Sequence, residues 1–223
     1  MYKIETHLHT PDISRCAILS PEQLVEGYHA AGYAALTVTN HYNRRSFQNS
    51  KIDPINGEHQ LYDFLIGYRR VKELADKVGM KTYYGAELKF DENNNEYLLF
   101  GFSDDLLSRG EDIFTMGIVE FSRLARQDGA LLIQAHPFRR PCVPVAPELL
   151  DGVEIVNRHD KHNNRNDLAT AFCQKYHLIG TGGSDCHEPE DVGNGGILSP
   201  ILPEDSMELA QLLRSGNFSL LGV

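Results

Sequence analysis

His7-Leu8-His9 places two imidazoles two residues apart, just after a short alternating run, Met1–Thr6. In extended backbone the two rings project to the same side. A pair of this kind grips one metal ion but does not complete its coordination, so further donors must lie along the chain. Four other stretches offer them: Thr39-Asn40-His41, Gly85-Ala86-Glu87, Ala135-His136-Pro137 and Gly183-Ser184-Asp185-Cys186-His187. Each directly follows an expected strand.

Imidazole and carboxylate without a thiolate pair suit zinc, manganese or iron rather than a structural zinc knuckle. The expected ligands are His7, His9, His41, Glu87, His136, Asp185 and His187, with Asp12 as a weaker eighth. One tetrahedral zinc takes four protein ligands, so this set implies two or three divalent ions, with Glu87 the expected bridging carboxylate. Closely spaced ions suit phosphoryl transfer, in which a metal-activated hydroxide attacks and the metals stabilise the phosphate oxygens. Any one of these short motifs alone reads more readily as a capping or packing residue. Five together, each after a separate strand, point to one site.

The elements that would position them alternate between strand and helix. Expected strands are 2–6, 34–39, 81–86, 96–102, 130–134, 152–156 and 178–182, with a further short one at 218–221. Helices are expected near 20–32, 59–78, 117–127, 164–176 and 203–214. Ser20-Pro21-Glu22-Gln23 gives the first of these a capping box and a proline at the first helical position. Leu61, Phe64, Leu65, Tyr68, Val71, Leu74, Ala75 and Val78 recur at helical spacing in the second. The stretch 43–57 is polar and reads as a loop. Most strands are followed by a helix, the mark of parallel β-α units. Polar candidates follow nearly every strand, which selects a barrel over an open sheet, because only in a barrel do all strand ends meet at one rim. The expectation is an α/β protein, a distorted (β/α)7 barrel, forming a single domain over residues 1–223.

Composition is that of an ordinary globular domain, with 41% hydrophobic and 23% charged residues. A net charge of −10 argues against nucleic acid as the main partner. The N-terminus lacks the pattern of a signal peptide, and no run has the roughly 18–20 apolar residues of a membrane helix. The expected setting is cytoplasmic, with no membrane partner. The four cysteines, Cys16, Cys142, Cys173 and Cys186, form no C-x-x-C pair. They read as reduced thiols serving mainly as packing residues.

In this order the five motifs, from residue 4 to about 197, resemble the PHP (polymerase and histidinol phosphatase) domain family. That family carries His-x-His-Thr, Thr-Asp-His, Gly-x-Glu, Ala-His-Pro and Gly-Ser-Asp-x-His. The resemblance implies a distorted seven-stranded β/α barrel, two or three zinc, manganese or iron ions on the matching residues, and phosphoester hydrolysis. Three departures stand out. Asn40 replaces the usual aspartate, which weakens any metal or proton role there. The strand Glu96-Tyr97-Leu98-Leu99-Phe100 lacks the metal histidine that some members have. No histidine follows His9 before His29, and Asp12, in that stretch, has two readings: an oxygen ligand, or a turn residue beside Pro11.

Phosphate also calls for cationic donors. Arg139 and Arg140 follow His136-Pro137-Phe138, and Arg158 follows Asn157 at the next strand end; arginine binds phosphate bidentately. Arg139 and Arg158 are the expected substrate contacts, and a metal-bound water or His187 the leaving-group acid. The expected function is metal-dependent hydrolysis of a small phosphorylated metabolite or nucleotide. A hydrolase of C–N or carboxylic ester bonds on the same barrel, and a non-catalytic metal-stabilised domain, are the other readings.

Overall fold

The computed structural model describes residues 1–52 and 57–222. Its strands are β1 (Tyr2–Leu8), β2 (Tyr33–Val38), β3 (His41–Tyr42), β4 (Lys81–Leu88), β5 (Tyr97–Phe100), β6 (Leu131–Gln134), β7 (Gly152–Asn157), β8 (Ile179–Gly183), β9 (Ile197–Ser199) and β10 (Ser219–Leu220). The helices are α1 (Pro21–Ala30), α2 (Arg44–Ser50), α3 (Gly57–Phe64), α4 (Ile66–Lys77), α5 (Asp104–Leu107), α6 (Asp112–Asp128), α7 (Asn166–Tyr176) and α8 (Ser206–Ser215). None among the described residues is long and apolar enough to cross a membrane.

The sheet runs β10-β9-β1-β2-β4-β5-β6-β7-β8, with β3 beside β4. Seven strands, β1, β2, β4, β5, β6, β7 and β8, make the ring. It closes where Leu8 bridges Cys186: the Cys186 amide donates to the His7 carbonyl, and the His9 amide donates to that of Cys186, each at 3.2 Å. The Thr6 hydroxyl adds a bond to the Gly182 carbonyl at 2.6 Å. At its other end β1 pairs with β9 instead, through Tyr2, Lys3 and Ile4, so the ring is split below and joined above. This is the distorted barrel the sequence led us to expect.

The distortion centres on β5. Only a short turn joins it to β4, too short for a crossover helix, so it must run antiparallel. It pairs antiparallel with both β4 and β6. Its first residue, Tyr97, therefore lies opposite Leu88 and Gln134, the last residues of its neighbours. The start of β5, not its end, faces the rim.

A cluster containing Ile4, Ala35, Tyr83, Phe100, Leu131 and Ile133 packs against Leu209, Leu212 and Leu213 of α8. These strand residues lie towards the end of the sheet opposite the motifs, so α8 packs on the apolar end and leaves the other free for polar groups. A second cluster, with Tyr42, Phe47, Phe64, Phe114 and Phe121, sits under α2, α3 and α6. Burial of these large rings, at about 25 cal/mol per Å² of apolar surface, is a main source of stability.

Local details depart from expectation. The polar stretch after Asn43 forms α2, because the Asn43 side chain accepts the Ser46 amide at 2.8 Å and caps it; positions 53–56 of that expected loop lie outside the described residues. The expected helix 59–78 is two helices, broken at Leu65. Strands β3 and β9 are too short to show a sequence period.

Candidate metal centre

All five motifs converge on the rim. His7 leaves β1 with its Nε2 3.4 Å from Glu87 Oε1 and from Asp185 Oδ1. His9 Nε2 lies 3.2 Å from His7 Nε2, 3.2 Å from Asp185 Oδ1 and 3.5 Å from Glu87 Oε2. His136 Nε2 lies 3.1 Å from Glu87 Oε1. The His187 ring sits 4.4 Å, centroid to centroid, from that of His9. His7, His9, Glu87, His136 and Asp185 are buried. Two donor groups, His7-His9-Asp185 and His9-His41-His187, have their ligand atoms within 4.8 Å of one another.

The donor set fits a cation. Glu87 Oε2 and His41 Nδ1 face each other at 2.8 Å, yet neither makes a hydrogen bond although both atoms are buried. Buried polar atoms without partners cost free energy. Two such atoms facing each other among further nitrogen and oxygen donors fit cation ligation. The backbone agrees: His136 (φ +28°) and Asp185 (φ +52°) adopt positive φ, a strained conformation for non-glycine residues that concentrates at functional sites.

The surroundings aim these donors. Glu154, midway along β7, accepts from His7 Nδ1 at 2.9 Å through Oε1, and from the His136 amide (3.1 Å) and Asn157 Nδ2 (2.9 Å) through Oε2. The bond to Glu154 fixes a proton on His7 Nδ1, so Nε2, turned to the cluster, is the nitrogen that would bind a cation on losing its own proton. Glu5 of β1 accepts from the amides of Thr6, His7 and Ser184 and from the hydroxyls of Tyr28 and Ser184, tying β1 to β8. Burial pushes its pKa up to about 7, against the pull of those donors. Gly183 is needed where β8 passes β1, since a Cβ there would lie 2.4 Å from that of His7.

Charges within the cluster are strongly coupled. Burial pulls His7 down, but Asp185, Glu154 and Glu87 outweigh it and hold the ring well above the ordinary histidine range. His9 goes the other way, lowered by burial and by its neighbours His187 and His41. Burial would raise Glu87 and Asp185, yet the histidines around both, and Arg139 beside Asp185, hold them well below the carboxylate range. Both carboxylates are therefore held in the anionic form.

Arg139 lies beside Asp185. Its Nη2 donates to Asp185 Oδ2 and Asn157 Oδ1, and its Nε to Asn164 Oδ1, each at 2.7 Å. Two other expected residues are not brought there, which corrects the sequence reading. Asp12 pairs with Arg70 through Oδ1, away from the clustered donors, while its Oδ2 is buried without a hydrogen-bond partner. Arg158 turns away towards the C-terminal end, its Nη1 donating to the Gly222 carbonyl at 3.3 Å; only its backbone, bonded to the Gly183 carbonyl, stays with the strand ends. Asn40 is a framework residue that accepts the Thr10 amide at 2.7 Å and donates to the Thr10 hydroxyl at 2.8 Å.

Sequence reasoning missed Glu154 and Glu96, and gave Cys16 and His159 no role in the site. Glu96 directly precedes the reversed β5 and stands 3.6 Å from His136 Nε2. Cys16 Sγ lies 3.3 Å from His41 Nε2. His159, buried, is held through Nδ1 by Asp191 Oδ2 at 3.0 Å. With Arg139, His136, His187 and Asp185, these last three line a cleft of about 310 Å³. Glu154 had a signal in the sequence: a lone carboxylate in the apolar run Gly152-Val153-Glu154-Ile155-Val156 is rarely buried unless partnered.

The family model described as PHP-associated matches residues 163–217. No curated protein matches by sequence. Among solved structures, a two-domain protein from Bacteroides vulgatus, described as containing a predicted PHP-like metal-dependent phosphoesterase, aligns with a TM-score of 0.70 at 17% identity, over 98% of this chain and 64% of that one. This chain thus spans about two thirds of that protein's length. PsfC of Pseudomonas syringae aligns at 0.68 and 17% identity, over 100% and 91% of the two chains. An amidohydrolase from Chromobacterium violaceum, solved with bound sulfate and no metal, aligns at 0.56 and 15%, over 98% and 97%. At these identities the likeness is one of fold. The family match on residues 163–217 agrees with the resemblance of the five motifs, and the solved structures agree on the fold.

Proposed function

We propose that the chain is a metal-dependent phosphoesterase that hydrolyses a small phosphorylated metabolite or nucleotide, using two or three divalent ions of zinc, manganese or iron. One observation carries this reading: seven nitrogen and oxygen donors, from His7 to His187, converge on a buried rim where Glu87 Oε2 and His41 Nδ1 have no hydrogen-bond partner. His7, His9, Glu87 and Asp185 would hold one ion, and His41, His136 and His187 would complete the set around Glu87. Bound there, such ions supply Lewis acidity towards a phosphoryl oxygen and make water a nucleophile at neutral pH.

The protein's own groups divide the remaining work. Arg139 spends Nε and Nη2 on Asp185, Asn157 and Asn164, which fixes its guanidinium plane. Its Nη1 has no partner among the described residues and is the donor available to a substrate phosphate oxygen. His187 donates from Nδ1 to the Asp185 carbonyl at 2.8 Å, so its Nε2 carries the lone pair and serves as a ligand. His159 is hinged on Asp191, which also accepts the His187 and Glu188 amides. Its other nitrogen can hold the proton that a leaving alkoxide needs. Thiols unpaired in the described chain fit a reducing, cytoplasmic setting.

The test is turnover of p-nitrophenyl phosphate by chelator-treated protein after addition of manganese or zinc. Metal-dependent phosphate release supports the proposal. Turnover of amides or carboxylic esters alone would replace it with C–N or ester hydrolysis, and metal binding with no turnover on any of these would leave a non-catalytic domain.

A further inference from the structure

A further group of donors, Glu96, His136 and Cys142, also has its ligand atoms within 4.8 Å of one another. It lies on the β5 side of the rim, and neither Glu96 nor Cys142 is among the motif residues. Glu96 Oε2 is 3.6 Å from His136 Nε2, while its Oε1 is 3.8 Å from Lys89, so one oxygen is turned inward and one outward. Cys142 Sγ lies 3.8 Å from Nδ1 of the same ring.

The thiol is held in place by built contacts. The Val143 amide donates to Asn95 Oδ1 at 2.8 Å, Gln134 Nε2 donates to the Val143 carbonyl at 2.8 Å, and the Val145 amide returns to Gln134 Oε1 at 3.1 Å. Cys142 itself donates to the Asn94 carbonyl at 3.4 Å. These bonds pin residues 142–145 between β6 and the turn before β5. Glu96 is pinned as well, since its carbonyl accepts the Ala135 amide at 3.0 Å. Beside them Glu87, buried, contributes the unpartnered Oε2 to the same rim.

Resting on the metal centre proposed above, we propose that Glu96 and Cys142 complete the cation position at His136, which this ring shares with the set around Glu87, and that the sulfur selects a thiophilic divalent ion such as zinc or iron(II) over magnesium or manganese. Oxygen and nitrogen donors alone would accept any of these ions; thiolate strongly prefers the softer ones. The antiparallel β5 makes the site possible, because it presents a carboxylate from just before a strand where the parallel neighbours present residues from their ends.

Cobalt(II) titration of chelator-treated full-length protein, read by absorbance and by metal analysis, tests this independently of turnover. A thiolate-to-cobalt charge-transfer band in the near ultraviolet is expected for the wild type and for Cys16→Ser, but not for Cys142→Ser. Glu96→Gln and Cys142→Ser are each expected to bind one cobalt fewer per chain, and Cys142→His to regain that ion without the band. Absence of the band in the wild type overturns the site, a result that needs no variant to fold. A band lost in Cys16→Ser and kept in Cys142→Ser overturns it too. Failure of the phosphatase assay alone leaves these readouts unchanged, so the two proposals fail separately.

Discussion

Glu154→Gln is the most discriminating change at the centre. The carboxylate is surrounded by three donors, His7 Nδ1 on one oxygen and the His136 amide and Asn157 Nδ2 on the other. A glutamine has one oxygen for these three donors, and its NH₂ must face at least one of them. If the oxygen faces His136 and Asn157, the NH₂ meets His7 Nδ1 and the imidazole proton moves to Nε2, the atom the cluster needs as a lone pair. If the oxygen faces His7, two bonds are lost at the strained His136 backbone. Either way a buried bond to a charged acceptor disappears, at about 1.5–3 kcal/mol. Loss of a partner that orients a metal-bound histidine typically costs roughly 10–100-fold in metal affinity, which is about 1.4–2.8 kcal/mol. Zinc affinity measured by competition with a chromophoric chelator should therefore fall by that factor in Glu154→Gln, while circular dichroism shows an intact fold. An affinity within about twofold of wild type would refute the reasoning that Glu154 sets the tautomer of His7.

Gly183→Ala is expected to destabilise the chain by about 1–3 kcal/mol in urea denaturation, since its Cβ would meet that of His7 at 2.4 Å. His159→Gln should lower kcat by roughly a hundredfold, the usual scale for a lost acid-base group, with the metal count unchanged in the same preparation. Arg139→Lys should lower phosphatase kcat/KM by about tenfold or more, because lysine reproduces neither the fork to Asp185 and Asn157 nor the free Nη1. Arg158→Ala, by contrast, should leave kcat/KM within about twofold of wild type, as its side chain is bonded to Gly222.

Much of this site could be read from the chain, for a physical reason. A parallel β-α unit delivers its functional residue at the strand's C-terminal end, so His7, His41, Glu87, His136 and Asp185 stand where strand patterning leads one to look. The rule fails where the topology breaks. Glu96 directly precedes β5, and only the antiparallel pairing of that strand with β4 and β6 carries it to the rim. Glu154 is hidden differently, within a strand whose alternation turns it inward. Arg158 shows the opposite error: its backbone is at a strand end, but a long flexible side chain at that position is free to turn outward. The split of the second long helix at Leu65, and the helix capped by Asn43 inside a polar stretch, follow from local hydrogen bonding that hydrophobic period does not record.

Diffraction from crystals of the metal-loaded protein, collected at the zinc, iron and manganese absorption edges, tests the central claim most directly. Two or more anomalous peaks are expected, each within about 2–2.5 Å of the ring nitrogens and carboxylate oxygens of His7, His9, Glu87 and Asp185. Peaks lying only elsewhere on the surface, with these four side chains still bonded to one another, would contradict it.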